Sequence, residues 1–302
     1  MDGAKIVDLI DEQGWVDPAA GVIATSVAQT LKTAGPLEQP LRNFLHGAWL
    51  GHPLHPVLTD IPIGAWTVTA VLDTYDALGS DSASAGADAA LAIGLAGAAM
   101  AAVTGLADWS DIEQGSKSSK VGAVHAVLNL GATVLYTGSL FLRRSKKRTA
   151  ARIFAAAGYC LVGASSYLGG LLVTSQKIGV DHAVREGYPE DWVDVLHIDD
   201  LVTGNPKCAK AGDIDIVLVK NAGKVYALAN ACSHLGGPLC EGSVKGAAIT
   251  CPWHKSKFDL TDGAVINGPA TSAQPAFETR IKDGRIEVRP SEDSPKSAFA
   301  IG

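Results

Sequence analysis

Charge is scarce in this chain. Charged residues make up 19% of the 302 positions against 47% hydrophobic ones, and the mean hydropathy is positive. An ordinary soluble chain carries about a quarter charged residues, so a fully water-facing surface along the whole length is excluded. Positive charge is the scarcer sign. With 25 Lys and Arg against 31 Asp and Glu, the formal net charge is −6, and no basic excess points to nucleic acid. Cysteine is also sparse. Five in a long chain, an odd number, exclude a disulfide-stapled scaffold. The first thirty residues lack a basic segment followed by an apolar one, so an ordinary cleavable signal peptide is not expected.

What is present falls into two textures. The apolar residues concentrate in the first 180 positions. Residues 89–107, 121–142 and 153–175 are runs without a fixed charge, each long enough to cross a hydrocarbon core of about 30 Å as a helix. A shorter candidate, residues 56–72, carries Asp60 and ends before Asp73. These four spans predict a transmembrane four-helix bundle over 51–180. Their stretches "AIGLAGAAMAAVTG" and "GASSYLGG" place small residues where helices approach closely in lipid. Residues 1–50 show helical spacing with interspersed polar groups and are expected as amphipathic helices.

Beyond a polar linker, 181–192, short β-rich runs alternate with turn residues such as Asn-Ala-Gly, Thr-Asp-Gly and Lys-Asp-Gly. An all-β domain is expected over 193–290, followed by a flexible tail, 291–302. The fold class is therefore multi-domain, a helical membrane bundle followed by an all-β domain.

The chemistry concentrates in "CSHLGGPLCEGSVKGAAITCPWHKSKFDL", residues 232–260. Cys232 and His234 form a C-x-H pair, and Cys251 and His254 a C-x-x-H pair. Sixteen residues separate His234 from Cys251. Two thiolates and two imidazoles suit tetrahedral zinc or an iron–sulfur cluster. Zinc pairs usually hold two or more residues between ligands, whereas the first pair holds one. Two such pairs also let one iron take both sulfurs and the other both nitrogens.

With "CSHLGGPL", "CPWH", "FDLTDG" and "NGPA", residues 193–290 resemble the Rieske family. The resemblance implies a [2Fe–2S] cluster held by Cys232, His234, Cys251 and His254 on two loops. A third loop, residues 267–270 and including Pro269, would lie over it. Ligand imidazoles in place of two thiolates raise the potential above that of an all-Cys cluster, and partly exposed imidazoles couple electron transfer to protons. Gly237 and Trp253 stand where the respiratory form carries an extra cysteine in each loop, so that disulfide is absent. Ser256 matches a serine that donates to a cluster sulfide. Phe258 replaces its companion tyrosine, which lowers the expected potential. Lys255 stands where the family usually has Gly. Cys208 and Cys240 are read as small core residues, with a bond between them expected only on an oxidising face.

The segment "HGAWLGHPLHPVLTDIPIGAW", residues 46–66, resembles an uncharacterised four-helix bacterial membrane family, over about 46–182. Ionisable groups inside a bilayer are costly and mark sites. His52, His55, Asp60 and His125 are therefore candidates for a b-type haem or proton site, with His55 and His125 as the ligand pair. The competing reading is that they hydrogen-bond between helices.

An even number of spans puts both termini on one face. The loop "RRSKKRTAAR", residues 143–152, carries six basic residues and is expected in the cytoplasm. The β domain is then expected on the outer face, with the cytoplasmic face as the alternative. The expected function is single-electron transfer at the membrane by a Rieske-type carrier, its donor and acceptor a quinone, cytochrome or reductase. Alternatives are a redox enzyme subunit whose bundle binds haem or quinone, and a membrane redox sensor. A Rieske oxygenase is disfavoured because it needs a soluble domain holding a second, mononuclear iron.

Overall fold

A computed structural model describes residues 2–79, 83–183 and 186–291. The chain divides into two compact units. One comprises residues 1–38 and 53–178, the other 39–52 and 179–302. The expected tail lies outside the described residues except for Ser291.

The first unit is helical. α1 (Gly3–Asp11) and α2 (Val16–Lys32) precede four long helices, α4 (Leu54–Ala77), α5 (Ala83–Ser110), α6 (Lys117–Arg144) and α7 (Arg148–Thr174). α5, α6 and α7 are long and apolar enough to cross a membrane, and α4 falls short of that composition. Small residues set the packing. At Gly94 a Cβ would stand 2.2 Å from the Trp66 indole nitrogen, and at Gly122 one would stand 2.6 Å from Trp109. Large rings thus seat in notches that any side chain would fill. Trp66 in turn stacks on Tyr136 with ring centroids 4.1 Å apart. The apolar faces of α1 and α2 are buried on the bundle, Val7 against Val121 and Leu168, and Val16 and Ala20 against Trp109 and Ala123.

One end of the bundle is tied by ions. Arg143, fully buried, pairs with Asp73 and with Asp88, the latter at 2.8 Å. Arg148 reaches Asp76 at 3.0 Å and Asp88 at 2.7 Å, and Arg152 also pairs with Asp76. All four long helices contribute to this network. Of the six basic residues between 143 and 152, Arg143, Arg148 and Arg152 therefore face carboxylates.

The second unit is built from β-strands, with α3 (Glu38–His46) contributing most of its length. Among the described residues, ten strands form two antiparallel sheets: β1 (Val193–His197), β2 (Pro206–Ala211), β3 (Ile214–Asn221), β4 (Lys224–Ala229), β5 (Ser243–Lys245), β6 (Ala248–Thr250), β7 (Lys257–Asp259), β8 (Val265–Asn267), β9 (Ala276–Lys282) and β10 (Arg285–Pro290). The six-stranded sheet runs β1-β10-β9-β4-β3-β2 and the four-stranded sheet β5-β6-β7-β8. The hairpin turns fall where the sequence predicts them. Ala222-Gly223 and Asp283-Gly284 both have positive φ at both positions, the pairing that matches strand twist in two-residue turns.

Strand β3 explains why the large sheet is covered on both faces. Ile216 and Leu218 pack with Ile286 and Val288 on one side, while Val217 and Val219 pack with Leu239, Ile249 and Phe258 on the other. Alternation along a strand sends successive side chains to opposite faces. Cys208 and Cys240 are joined as a disulfide across 32 residues. The sequence left that bond open beside the reading of both as small core residues; Cys240 is in the core but Cys208 is exposed, and β2 and the 3-10 turn after Pro238 bring the two thiols together.

Candidate metal centre

The two Cys-His loops arise from the small sheet and its approach. The first, between β4 and β5, is closed by Cys232 N donating to Gly237 O at 2.9 Å and Gly236 N donating to Cys232 O at 2.8 Å. The second, between β6 and β7, is closed by Cys251 N donating to Ser256 O at 2.8 Å. Both cysteines are buried in the core between the sheets. The His234 and His254 rings are half-buried, 5.0 Å apart and nearly perpendicular.

The donor chemistry fits a metal cluster. His234 Nδ1 is buried with no hydrogen-bond partner, a loss of about 1–3 kcal/mol unless something else satisfies it. Burial, with His254, His46 and His182 nearby, holds its imidazole down at about 3, so it stays neutral, as a ligand nitrogen must be. The two thiols share a hydrogen bond. It lowers Cys251 to about 6, helped by the Trp253 and His254 amides. It pushes Cys232 well up, together with burial, while the Ser256 hydroxyl pulls the other way. The pair thus gives up one proton readily and holds the second, and a bound cation would release both. No group of three or more Cys, His, Asp or Glu among the described residues is gathered to hold a single metal ion. The donors stand as two pairs.

Neighbouring residues shape the loops. A Cβ at Gly237 would meet Cys251 Sγ at 2.9 Å and the Trp253 ring at 3.0 Å, so a side chain at 237 would crowd a donor atom. Ser256 is fully buried and accepts from Ala270 N at 3.0 Å. Phe258 is fully buried and offers no donor. Pro269 is buried and follows a cis peptide bond. Lys255 adopts φ +66°, the left-handed region where glycine carries no penalty, and its ammonium donates to Pro252 O at 2.9 Å.

Two supporting residues escaped the sequence reading. Gln274, fully buried, accepts from Ser233 N at 3.0 Å and donates to Ala229 O and Ala231 O at 2.7 and 2.6 Å, bracing the first loop. Asn43, on α3, accepts from Gly268 N at 3.0 Å. Neither carries a spacing signal, because their partners are remote in sequence.

The bundle residues are differently placed. His55 Nδ1 donates to Ala101 O at 2.8 Å, its ring resting against Gly105. His125 uses both ring nitrogens, Nδ1 on Ser165 O at 2.9 Å and Nε2 on the Asn129 amide at 3.0 Å. His52 and Asp60 are exposed, and His52 belongs to the other unit. A b-type haem finds no support in these contacts: both ring nitrogens of His125 are engaged, Nε2 by Asn129 of its own helix.

A β domain of two sheets, carrying one Cys and one His on each of two neighbouring loops, defines the class of mixed-ligand iron–sulfur proteins. The comparisons agree. The Rieske [2Fe-2S] domain family matches residues 191–278, and a predicted membrane protein family, DUF2231, matches residues 51–182. The anthranilate 1,2-dioxygenase ferredoxin subunit of Burkholderia cepacia is 30% identical over 98 residues, covering 32% of this chain and 91% of that protein. Human apoptosis-inducing factor 3 is 28% identical over 123 residues, 40% of this chain and 20% of that one. This chain thus spans about a fifth of that relative's length. Among solved structures, the ferredoxin of carbazole 1,9a-dioxygenase from Nocardioides aromaticivorans IC177 matches at 28% identity and TM-score 0.33, covering 34% of this chain and 100% of that one.

The chain belongs to the Rieske [2Fe-2S] family through its C-terminal domain. That domain implies a [2Fe–2S] cluster, and its homology to ferredoxin components of dioxygenases supports an electron-transfer role. The match to a predicted membrane protein family, with three apolar helices, suggests membrane association.

Proposed function

We propose that this chain is a membrane-anchored electron carrier whose cluster ligands are Cys232, His234, Cys251 and His254. A [2Fe–2S] cluster at this site supplies reversible one-electron exchange. The observation that carries the reading is the pairing of the two thiols by a hydrogen bond and of the two imidazole rings 5.0 Å apart, with a buried, partnerless His234 Nδ1. The thiols would bind as thiolates and the imidazoles as neutral donors. Ser256 would offer one hydroxyl to sulfur and Phe258 none, which favours a low to intermediate potential. The exposed Trp253 and Lys255 flank His254 and lie nearest to a docking partner on that loop.

Four crossings, α4 to α7, best support the membrane reading. Residues 39–52 and 179–291 fold as one unit, so both stand on the same side of any bilayer. An even number of crossings fits that arrangement, with α4 as the fourth beside the three apolar helices. α4 also presents Val57, Ile63, Val68 and Val71 outward, as lipid would require. Two signals favour the outer face for the Rieske unit. Its Cys208–Cys240 disulfide belongs in an oxidising compartment, and the basic loop between α6 and α7 belongs inside. The proposed bounds are 51–180 for the bundle, 181–192 for the linker and 193–290 for the Rieske domain.

EPR spectroscopy of the reduced, full-length protein in detergent tests the ligand set. A rhombic signal of mixed His/Cys ligation is expected, and His254→Cys should change its g values. An unchanged spectrum in that variant would remove His254 from the ligand set.

A further inference from the structure

The matched Rieske region begins at residue 191 and the matched membrane region at residue 51. Residues 39–50 belong to neither, yet they fold with the β domain. Asn43 ties them to the third loop. Its Oδ1 accepts from Gly268 N at 3.0 Å and its Nδ2 donates to Asn267 Oδ1 at 3.2 Å. Gln39 Nε2 donates to Asn43 Oδ1 at 2.9 Å, which fixes the amide's orientation. Ala48 packs on the same turn, its Cβ 3.6 Å from the point a Gly268 Cβ would occupy. Leu45, His46 and Gly47 are buried beside these contacts. From the opposite end of the bundle sequence, His182 N donates to Ser233 O at 3.0 Å on the first ligand loop.

The tie leads to the site in short steps. Gly268 starts the third loop, and two residues on, Ala270 N donates to Ser256 Oγ at 3.0 Å. That hydroxyl acts on the Cys232 thiol. The strand pairing of β7 with β8 ends at Asn267, so the loop leaves the sheet where Asn43 takes hold of it.

We propose that residues 39–52 are a clasp that completes the cluster site, with Asn43 as a positioning residue acting through the third loop on Ser256. The proposal rests on the cluster reading above. An amide on a helix that precedes all the membrane helices thereby fixes a hydroxyl beside a ligand that follows them. Holding the loop keeps the Ser256 oxygen supplied with a donor from Ala270, which leaves its proton free for sulfur. Losing the hold weakens that donation, and fewer donors to sulfur lower the potential.

The test uses full-length protein with Asn43→Leu, which keeps the branched shape and removes both hydrogen bonds to the third loop, and with Gln39→Ala, which loosens the amide alone. Redox titration should show a lower potential for Asn43→Leu than for wild type, and a smaller shift of the same sign for Gln39→Ala. Ser256→Ala should lower it too, and adding Asn43→Leu to Ser256→Ala should lower it no further. Bleaching of the cluster by a chelator should speed about tenfold in Asn43→Leu, the scale of about 1.4 kcal/mol. Hydrogen exchange over residues 264–272 in cluster-free protein should also speed about tenfold, with β3 and β4 unaffected. An unchanged potential, even with faster exchange, overturns the positioning role. Fully additive shifts in the double variant overturn the route through Ser256. If wild type holds no cluster, the cluster reading fails, and unchanged exchange then overturns the clasp independently.

Discussion

The helical unit and the β unit both bury histidines, and they hold them differently. In the helices, His55, His125 and Arg143 each end on a partner from a neighbouring helix. In the β unit, His234 Nδ1 ends on nothing and two buried thiols share a proton between them. Buried polar groups are costly unless partnered, so His234 is poised for an incoming metal, while His125 already has both ring nitrogens engaged. A histidine in an apolar segment is thus weak grounds for a site, and the accounting of its two nitrogens is strong grounds.

The largest effect should come from breaking that contrast at its sharpest point. His234→Ala should abolish iron binding, read as iron and acid-labile sulfide per chain. His55→Ala and His125→Ala should leave both contents at the wild-type level. Iron loss in either bundle variant would mean that the two units are chemically linked after all.

The ion network gives the next effect, confined to the other unit. Arg143→Met leaves Asp73, itself buried, without its partner. Removing one member of a buried pair costs about 3–5 kcal/mol. Helical CD in detergent should report that loss on heating, with the EPR signal of the cluster unchanged.

The smallest effect sharpens the comparison within the β unit. Lys255 holds a left-handed conformation that costs an L residue about 1–2 kcal/mol. Lys255→Gly should therefore stabilise the ligand loop by about 1 kcal/mol, less the lost bond to Pro252 O, seen as a higher midpoint in chemical denaturation of the β unit. A lower midpoint would show that the ammonium contact outweighs the backbone strain.

How legible each part was follows from how local its causes are. The two Cys-His pairs lie within 23 residues of one another, and the hairpin turns within four, so both motifs are visible in the sequence. The apolar runs mark α5 to α7, but the helices extend past them. Lys117 and Lys120 open α6 and Arg148 and Arg152 open α7, because charge at a helix end leaves its hydrogen bonds intact. Whether Cys208 and Cys240 are bonded was not legible, since that depended on which face the domain occupies. Neither was the role of Asn43, whose partner Gly268 lies 225 residues away, nor the pairing of Asp73, Asp76 and Asp88 with Arg143, Arg148 and Arg152. Each depends on helices or strands docking first.

The central claim is a two-iron cluster with one thiolate-bound and one imidazole-bound iron. Mössbauer spectroscopy of protein grown on iron-57 tests it most directly. Two iron environments in equal amount, one with the larger isomer shift and quadrupole splitting of nitrogen ligation on reduction, are the predicted result. A single uniform tetrathiolate iron environment, or zinc in place of iron, would contradict it.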